Sequence, residues 1–431
     1  MGKRDENWVD GLRGVASFIV VCGHLCTSFV PELHNPAPGP GETPLLFQRP
    51  FLRTVVSGRS AVALFFLITG YVNSIGPISR AKSGNTEDAF ARISHSAFAR
   101  SARLILPTMF ATFFSWFVAN VNGYRFIRHV DATWIRQGYY GPSPNLGAAL
   151  ASLIRYNMET WTTGWNPYDG TQWTVIMFIE AAMYVYLTMV STMLITPKAR
   201  RIVFAILYVY GWWSYKSRGA IKAMNVVIGM VVADMHVAFG DKATQMIPKF
   251  APFVMLLVGV FLCNFPQNAA ENAPWSNAMK IIMESITHKD SDIRRYWDSL
   301  GASTVFIAIF FSGPMRRVLT SKVFNFLGRV SFPVYLIHNL LIKTVLAWMV
   351  YFPSWMNPQF NENGEQMDLA RPGKAHMAVA IMVFYYILYR VAYLWTCTID
   401  PLIDRWIKAG TSWARGVPAQ SQEKNQPILA S

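Results

Sequence analysis

The feature that most constrains this chain is a succession of apolar stretches of about 20 residues, each closed by short polar or basic punctuation. Wound as helix at ~1.5 Å per residue, such a stretch matches a hydrocarbon layer of ~30 Å. Inside a bilayer only helices and closed barrels satisfy every backbone polar group, and these stretches are too long and too uniformly apolar for barrel strands. With 52% hydrophobic and only 15% charged residues, the 431-residue length counts helices, not soluble domains. Spans are expected near 12–30, 60–76, 104–121, 172–195, 201–217, 222–239, 251–265, 299–314, 331–351 and 376–397. The expected fold is therefore all-α, a polytopic transmembrane helix bundle of about 10 spans. It would occupy 1–400, leaving 401–431, rich in Gln, Pro and Ser toward its end, as a cytoplasmic C-terminal tail.

A net charge of +15 points to nucleic acid in a soluble protein, but here the bases fall in short runs between apolar segments. That is the positive-inside pattern, so the expected partner is the lipid bilayer and no nucleic acid is expected. Arg80 through Arg103, the run ending at Arg201, Lys242 with Lys249, and Arg316 through Arg329 then face the cytosol, as do both termini. Arg294 and Arg295 run against this bias, on a loop assigned to the far side together with Glu284, Asp290, Asp292 and Asp298. The polar stretch before the first span carries no small-residue cleavage site, so that span is expected to stay in the membrane. Endoplasmic reticulum and plasma membrane remain equal alternatives. Cys22, Cys26, Cys263 and Cys397 have neither metal-type nor disulfide-framework spacing, and no metal or tightly bound cofactor is expected.

Ionisable groups inside apolar helices are costly and mark function. In DGLRGVASFIVVCGHL, Arg13 lies at the mouth of the first span and His24 eleven positions on, ~16 Å along the axis. Eleven residues is close to three turns, so both side chains leave the helix on one face. A neutral imidazole with a free nitrogen can take the proton of an attacking hydroxyl; a histidine bonded between helices for packing is the alternative reading. Glu180, about eight residues into the fourth span, reaches a similar depth from the opposite direction and could orient His24, or else pair with an interior Lys or Arg. Arg100 and Arg103 share a face at the start of the third span, where guanidiniums suit the phosphates of coenzyme A or anchor to lipid headgroups. Tyr71, Trp173, Tyr335 and His338 are candidates to line a substrate cavity, while Asp234 and His236 lie close to the membrane edge. Soluble-enzyme fingerprints, such as a nucleophile elbow, a phosphate loop or a dinucleotide glycine pattern, are absent from the sequence.

The stretches DGLRGVASFIVVCGH, LFFLITGYV, RSARLILP and LGRVSFPVYLIH, in that order, resemble the acyltransferase-3 family of integral membrane acyltransferases, from about residue 7 to 400. The resemblance implies that Arg13 and His24, separated by ten residues, form the catalytic signature. It also implies acyl-donor use by Arg100 and Arg103, and a matching late motif from Leu327 to His338. One departure concerns the family's Glu five residues after the Trp of a Trp-Ser/Thr motif: here Trp173-Thr174 is followed at that offset by Phe178, and Glu180 comes two residues later. The resemblance further implies acyl-CoA, most commonly acetyl-CoA, as co-substrate and a small-molecule hydroxyl as acceptor. A secondary metabolite such as a terpenoid or polyketide is the favoured acceptor; acylation of a carbohydrate or glycolipid, or a proton-coupled transporter, is the alternative.

Overall fold

The computed structural model describes residues 8–214, 219–363 and 367–416. Its elements are helical: α1 (Trp8–Phe29), α2 (Gly58–Lys82), α3 (Thr86–Asn120), α4 (Thr133–Gln137), α5 (Leu146–Thr162), α6 (Val175–Thr192), α7 (Pro197–Trp213), α8 (Ala220–Phe239), α9 (Ala251–Leu262), α10 (Pro274–Ile286), α11 (Ile293–Phe310), α12 (Gly313–Leu319), α13 (Lys322–Leu341), α14 (Ala347–Met356) and α15 (Lys374–Arg415). Short 3-10 turns fill several connections, and among the described residues one isolated bridge, Val130 with Leu369, is the only strand-like pairing.

All ten expected spans fall on helices, but they are not equivalent. Among the described residues seven helices are long and apolar enough to cross a membrane, and an eighth crossing arises if α11 and α12, bent by 100°, count as one broken span. The other two expected spans fall on α7, with 17 residues, and α9, with 12, which is why the count by length stops short of ten. Pro401 lies inside α15, which continues to Arg415, because Ile403 and Ile407 are buried at helical spacing and hold that segment down. The end of the expected fifth span at 215–217 and the tail from 417 on lie outside the described residues.

The chain divides into two compact units. The first holds the residues up to Cys26, Val30–Arg100 and Met177–Arg329. Its helices approach through glycine. A side chain at Gly70 would lie 2.1 Å from the carbonyl oxygen of Val226, and one at Gly229 2.2 Å from that of Leu67, so α2 and α8 cross with their backbones in contact. Gly259 and Gly301 do the same for α9 and α11, and Gly14 with Gly328 brings the start of α1 onto α13. Met224 of α8, Phe265, Met279 and Met283 of α10, and Tyr296 and Trp297 of α11 form a buried cluster. Asp234 of α8, 3% exposed, accepts from Arg200 Nη2 at 2.6 Å and Arg201 Nε at 2.8 Å, fastening α7 to α8.

The second unit comprises Thr27–Phe29, Ser101–Ile176 and the residues from Val330 on. Its centre is polar. The segment 166–174 is tied inward: Asn166 accepts from the backbone N–H of Tyr168 and Asp169, and Gln172 accepts from Thr112 of α3 at 2.8 Å. At the opposite edge Phe126 stacks on Trp348 with ring centroids 4.6 Å apart, and Tyr351 donates to Asp131 at 2.6 Å.

Candidate active site

The residues expected to carry chemistry fall in both units. In the first, α1 carries Arg13 and His24. Gly11 and Gly14 are buried because α12 and α13 press onto that turn; a side chain at Gly11 would meet the Leu319 carbonyl oxygen at 2.0 Å. The glycines of the DGLRG stretch are thus packing devices that hold Arg13 in register. Arg13 itself is half-buried and pairs with Asp10 one turn earlier at 2.9 Å. His24 is half-buried too, next to Gly23, whose added side chain would touch the backbone of Gly58 at 3.2 Å. The imidazole therefore leaves α1 beside a tight crossing with the start of α2.

Of the two readings open for Glu180, the contact the structure shows is the ion pair with an interior lysine. Among the described residues the partner of the Glu180 carboxylate is the ammonium of Lys222. A carboxylate in an apolar setting is compensated better by a permanent cation than by a neutral imidazole, and Lys222 lies at the start of α8 within reach. Tyr71 is 5% exposed, and its hydroxyl meets His236 Nδ1 at 2.6 Å inside an aromatic group with Trp8, Phe306 and Phe310. His236, set aside from sequence as an edge residue, thus shares a polar contact with a candidate site residue. Arg100 Nη2 reaches Thr69 Oγ1 at 3.4 Å.

In the second unit Arg103 is exposed and pairs with Asp404 of α15 at 3.6 Å. Trp173 is 46% exposed, in the 3-10 turn Gly170–Thr174 that precedes α6. Tyr335 and His338 are buried on α13: the Tyr335 hydroxyl donates to the Thr171 carbonyl at 2.7 Å and also meets Thr174 Oγ1, and His338 Nδ1 donates to the Tyr335 carbonyl at 2.7 Å. The phenol is thus committed to fixing the turn that carries Trp173.

Around this pair stands a network that sequence reading missed. Asp169, 1% exposed, receives three bonds on Oδ1, from the Thr171 N–H and hydroxyl and from Asn339 Nδ2 at 2.6 Å. Lys343, 3% exposed, gives Nζ to the Tyr168 carbonyl at 3.1 Å and lies over the Tyr124 ring. A π-turn at Ile342–Leu346 interrupts the helix at Lys343. The signal was available: LLIKTVL places a lysine inside an apolar run, which is itself a flag of function. Among the described residues no group of three or more His, Cys, Asp or Glu side chains could hold a metal ion.

Comparison with known proteins decides the family. Residues 6–388 match the acyltransferase domain that defines the acyltransferase-3 proteins. The chain belongs to that family. The enzyme is accordingly an acyltransferase, and its apolar helices make it a multi-pass membrane one. It is similar to acyltransferase R4 of Phoma sp., 25% identical over 392 residues, covering 78% of this chain and 82% of that one. It is also similar to O-acetyltransferase PaAT-1 of Phomopsis amygdali, 24% identical over 376 residues, 79% of this chain and 72% of the relative. A third relative is acyltransferase clz18 of Cochliobolus lunatus, 25% identical over 393 residues, 78% and 82%. No solved structure matches.

Proposed function

We propose that this acyltransferase moves an acyl group, most simply acetyl, from acyl-CoA to a hydroxyl of a small secondary metabolite such as a terpenoid or polyketide. The observation that carries the reading is His24, a half-buried imidazole in the apolar helix α1, held beside the Gly23–Gly58 crossing and eleven residues from Arg13. The name of PaAT-1, an O-acetyltransferase, supports acetyl transfer to oxygen.

In the proposed reaction His24 takes the proton of the acceptor hydroxyl as its oxygen attacks the thioester carbonyl. Collapse of the tetrahedral intermediate expels the CoA thiolate, which takes up that proton, giving ester and free CoA. Arg13 anchors the cytosolic end of α1, and Arg100 and Arg103, one turn apart on α3, hold phosphate oxygens of the donor. Glu180 is left out of proton transfer because its carboxylate neutralises Lys222. A bundle of ten spans with both termini in the cytosol belongs to the same proposal, since it opens the base of α1 to the cytosolic donor.

The test is transfer from labelled acetyl-CoA by the protein purified in detergent, with a panel of alcohols. Acceptor-dependent release of CoA is expected, abolished by His24→Ala with expression and membrane insertion retained. Substantial turnover by His24→Ala would show that the imidazole only packs, and transport of a small molecule without any CoA release would overturn the acyl-transfer reading.

A further inference from the structure

A cluster of arginines outside the site described above encloses a small cavity. Arg53 stands in the 3-10 turn Leu52–Val56 and is 2% exposed. It gives Nη1 to the Asn35 carbonyl at 2.8 Å and Nη2 to the His34 carbonyl at 3.1 Å, while its Nε, fully buried, has no partner. Among the described residues no carboxylate pairs with this guanidinium. Burial without a counter-charge pulls its pKa down to about 10, a measure of how poorly the cation is compensated.

Arg53 shares the cavity wall with Arg59, Arg294 and one carboxylate, that of Asp298. The enclosed space is about 10 Å3, enough for a single water-sized atom. Phe265, Pro266, Gln267 and Arg294 also wall a wider, open groove of about 360 Å3 lined by Glu271, Asp290, Asp292 and Lys280, the last paired with Glu271 at 3.6 Å. The acids nearby are already shared out. Asp292 answers three guanidiniums, Arg294 at 2.8 Å, Arg295 at 3.1 Å and Arg59 at 3.7 Å, which hold it below the usual carboxylate range although burial opposes this. Asp298 takes the Ser60 hydroxyl at 2.5 Å. The cavity wall itself carries three guanidiniums, of Arg53, Arg59 and Arg294, against the single carboxylate of Asp298, leaving two positive charges around a space that fits one oxygen. The same cluster contains Arg294 and Arg295, which break the positive-inside pattern of the sequence.

We propose that this cavity is an oxyanion-binding site: one oxygen of a carboxylate or phosphate occupies the narrow end against Arg53, with Arg59 and Arg294 flanking it, and the uncharged remainder of the molecule extends into the adjoining groove. A buried guanidinium that lines a cavity, has given Nη1 and Nη2 to carbonyls and has an unpartnered Nε can complete its shell with an anion. The site stands independently of the role given to His24.

Inorganic phosphate is the probe, titrated into the full-length protein in detergent free of anionic lipid at constant ionic strength, with chloride as control. Saturable heat and a rise in Tm with phosphate but not chloride are expected. Arg59→Gln and Arg294→Gln should each weaken phosphate at least tenfold, whereas Asp292→Asn, which removes the competing carboxylate, should tighten it several-fold. Micelles doped with phosphatidic acid form the second arm. A response to them alone, lost in Arg59→Gln, supports the oxyanion site and assigns its occupant to a lipid headgroup. Equal effects of chloride and phosphate without any response to phosphatidic acid, or phosphate affinity unchanged in all three variants, would overturn the proposal.

Discussion

Replacing Gly328 by alanine tests whether the crossing of α1 and α13 is set by backbone contact. The new methyl would lie 2.3 Å from the Asp10 carbonyl oxygen and 2.5 Å from its carbon, both backbone atoms that no rotamer change can move. Non-bonded carbons settle at about 3.5–4.0 Å, so the helices must part by roughly 1 Å. Overpacking of this kind costs about 1–3 kcal/mol, of which up to about 1 kcal/mol returns through the better helix propensity of alanine, leaving a net loss of about 1–2 kcal/mol. Gly14 occupies the same crossing: its methyl would meet Gly328 N at 2.6 Å and Leu327 Cβ at 2.6 Å. Once one methyl has opened the gap, the second enters at little further cost, so Gly14→Ala with Gly328→Ala should lose much less than the sum of the single variants. Gly313→Ala is the control, since a methyl there meets nothing within 4 Å and should be neutral or slightly stabilising. Thermal unfolding in detergent, followed by tryptophan fluorescence, reads all four. Acyl transfer should fall in the single variants as well, because Asp10 and its partner Arg13 ride on the displaced turn. Additive losses, or single variants as stable as Gly313→Ala, would show that the crossing is not held at backbone distance.

Three further outcomes are expected. Asp234→Asn should cost about 3–5 kcal/mol in the same unfolding assay, because Arg200 is left buried without its counter-charge, whereas Arg201→Gln, at the half-exposed side of the pair, should cost under about 1 kcal/mol. Burial, reinforced by Arg53 and Arg59, lowers the pKa of His34 to about 4, below the ~6.5 of an unfolded chain, so the unfolded state binds the extra proton first. Stability should therefore fall by roughly 3 kcal/mol as pH drops from about 6.5 to about 4 and level off below that; a His34→Gln variant that keeps the same slope would remove the assignment. Replacing Arg100 and Arg103 together by alanine should raise the KM for acyl-CoA, and unchanged donor kinetics would leave Arg103 as no more than the partner of Asp404.

What the sequence made legible follows from what each signal physically encodes. Apolar runs report burial from water, so all ten expected spans fall on helices; they do not report whether a helix is long enough to cross, so α7 and α9 differ from the rest only in the structure. Motif spacing along one helix is fixed by pitch, which is why Arg13 with His24 and Arg100 with Arg103 keep their mutual register on α1 and α3. Pairing between helices is set by rotation and by which neighbour is nearest, and neither is written in a single segment. Equal depth left Glu180 open to His24 or to an interior Lys or Arg, and the contact found is with the neighbouring ammonium of Lys222.

The same reasoning explains which polar residues escaped notice. Asp169 and Arg53 lie in segments that read as loops, where a charged residue passes for solvated, yet both are almost wholly buried once the loops fold inward. Lys343 could have been found, because an apolar helix does not place an ammonium in its interior without a use for it. Its carbonyl and ring contacts, with the π-turn at its own position, indicate that the backbone adjusts to bring the charge to Tyr168 and Tyr124. Through Asp169, Asn339 and the Tyr335 hydroxyl this network ties the turn bearing Trp173 to α13, and removing one partner would leave the other buried polar group to carry its desolvation cost.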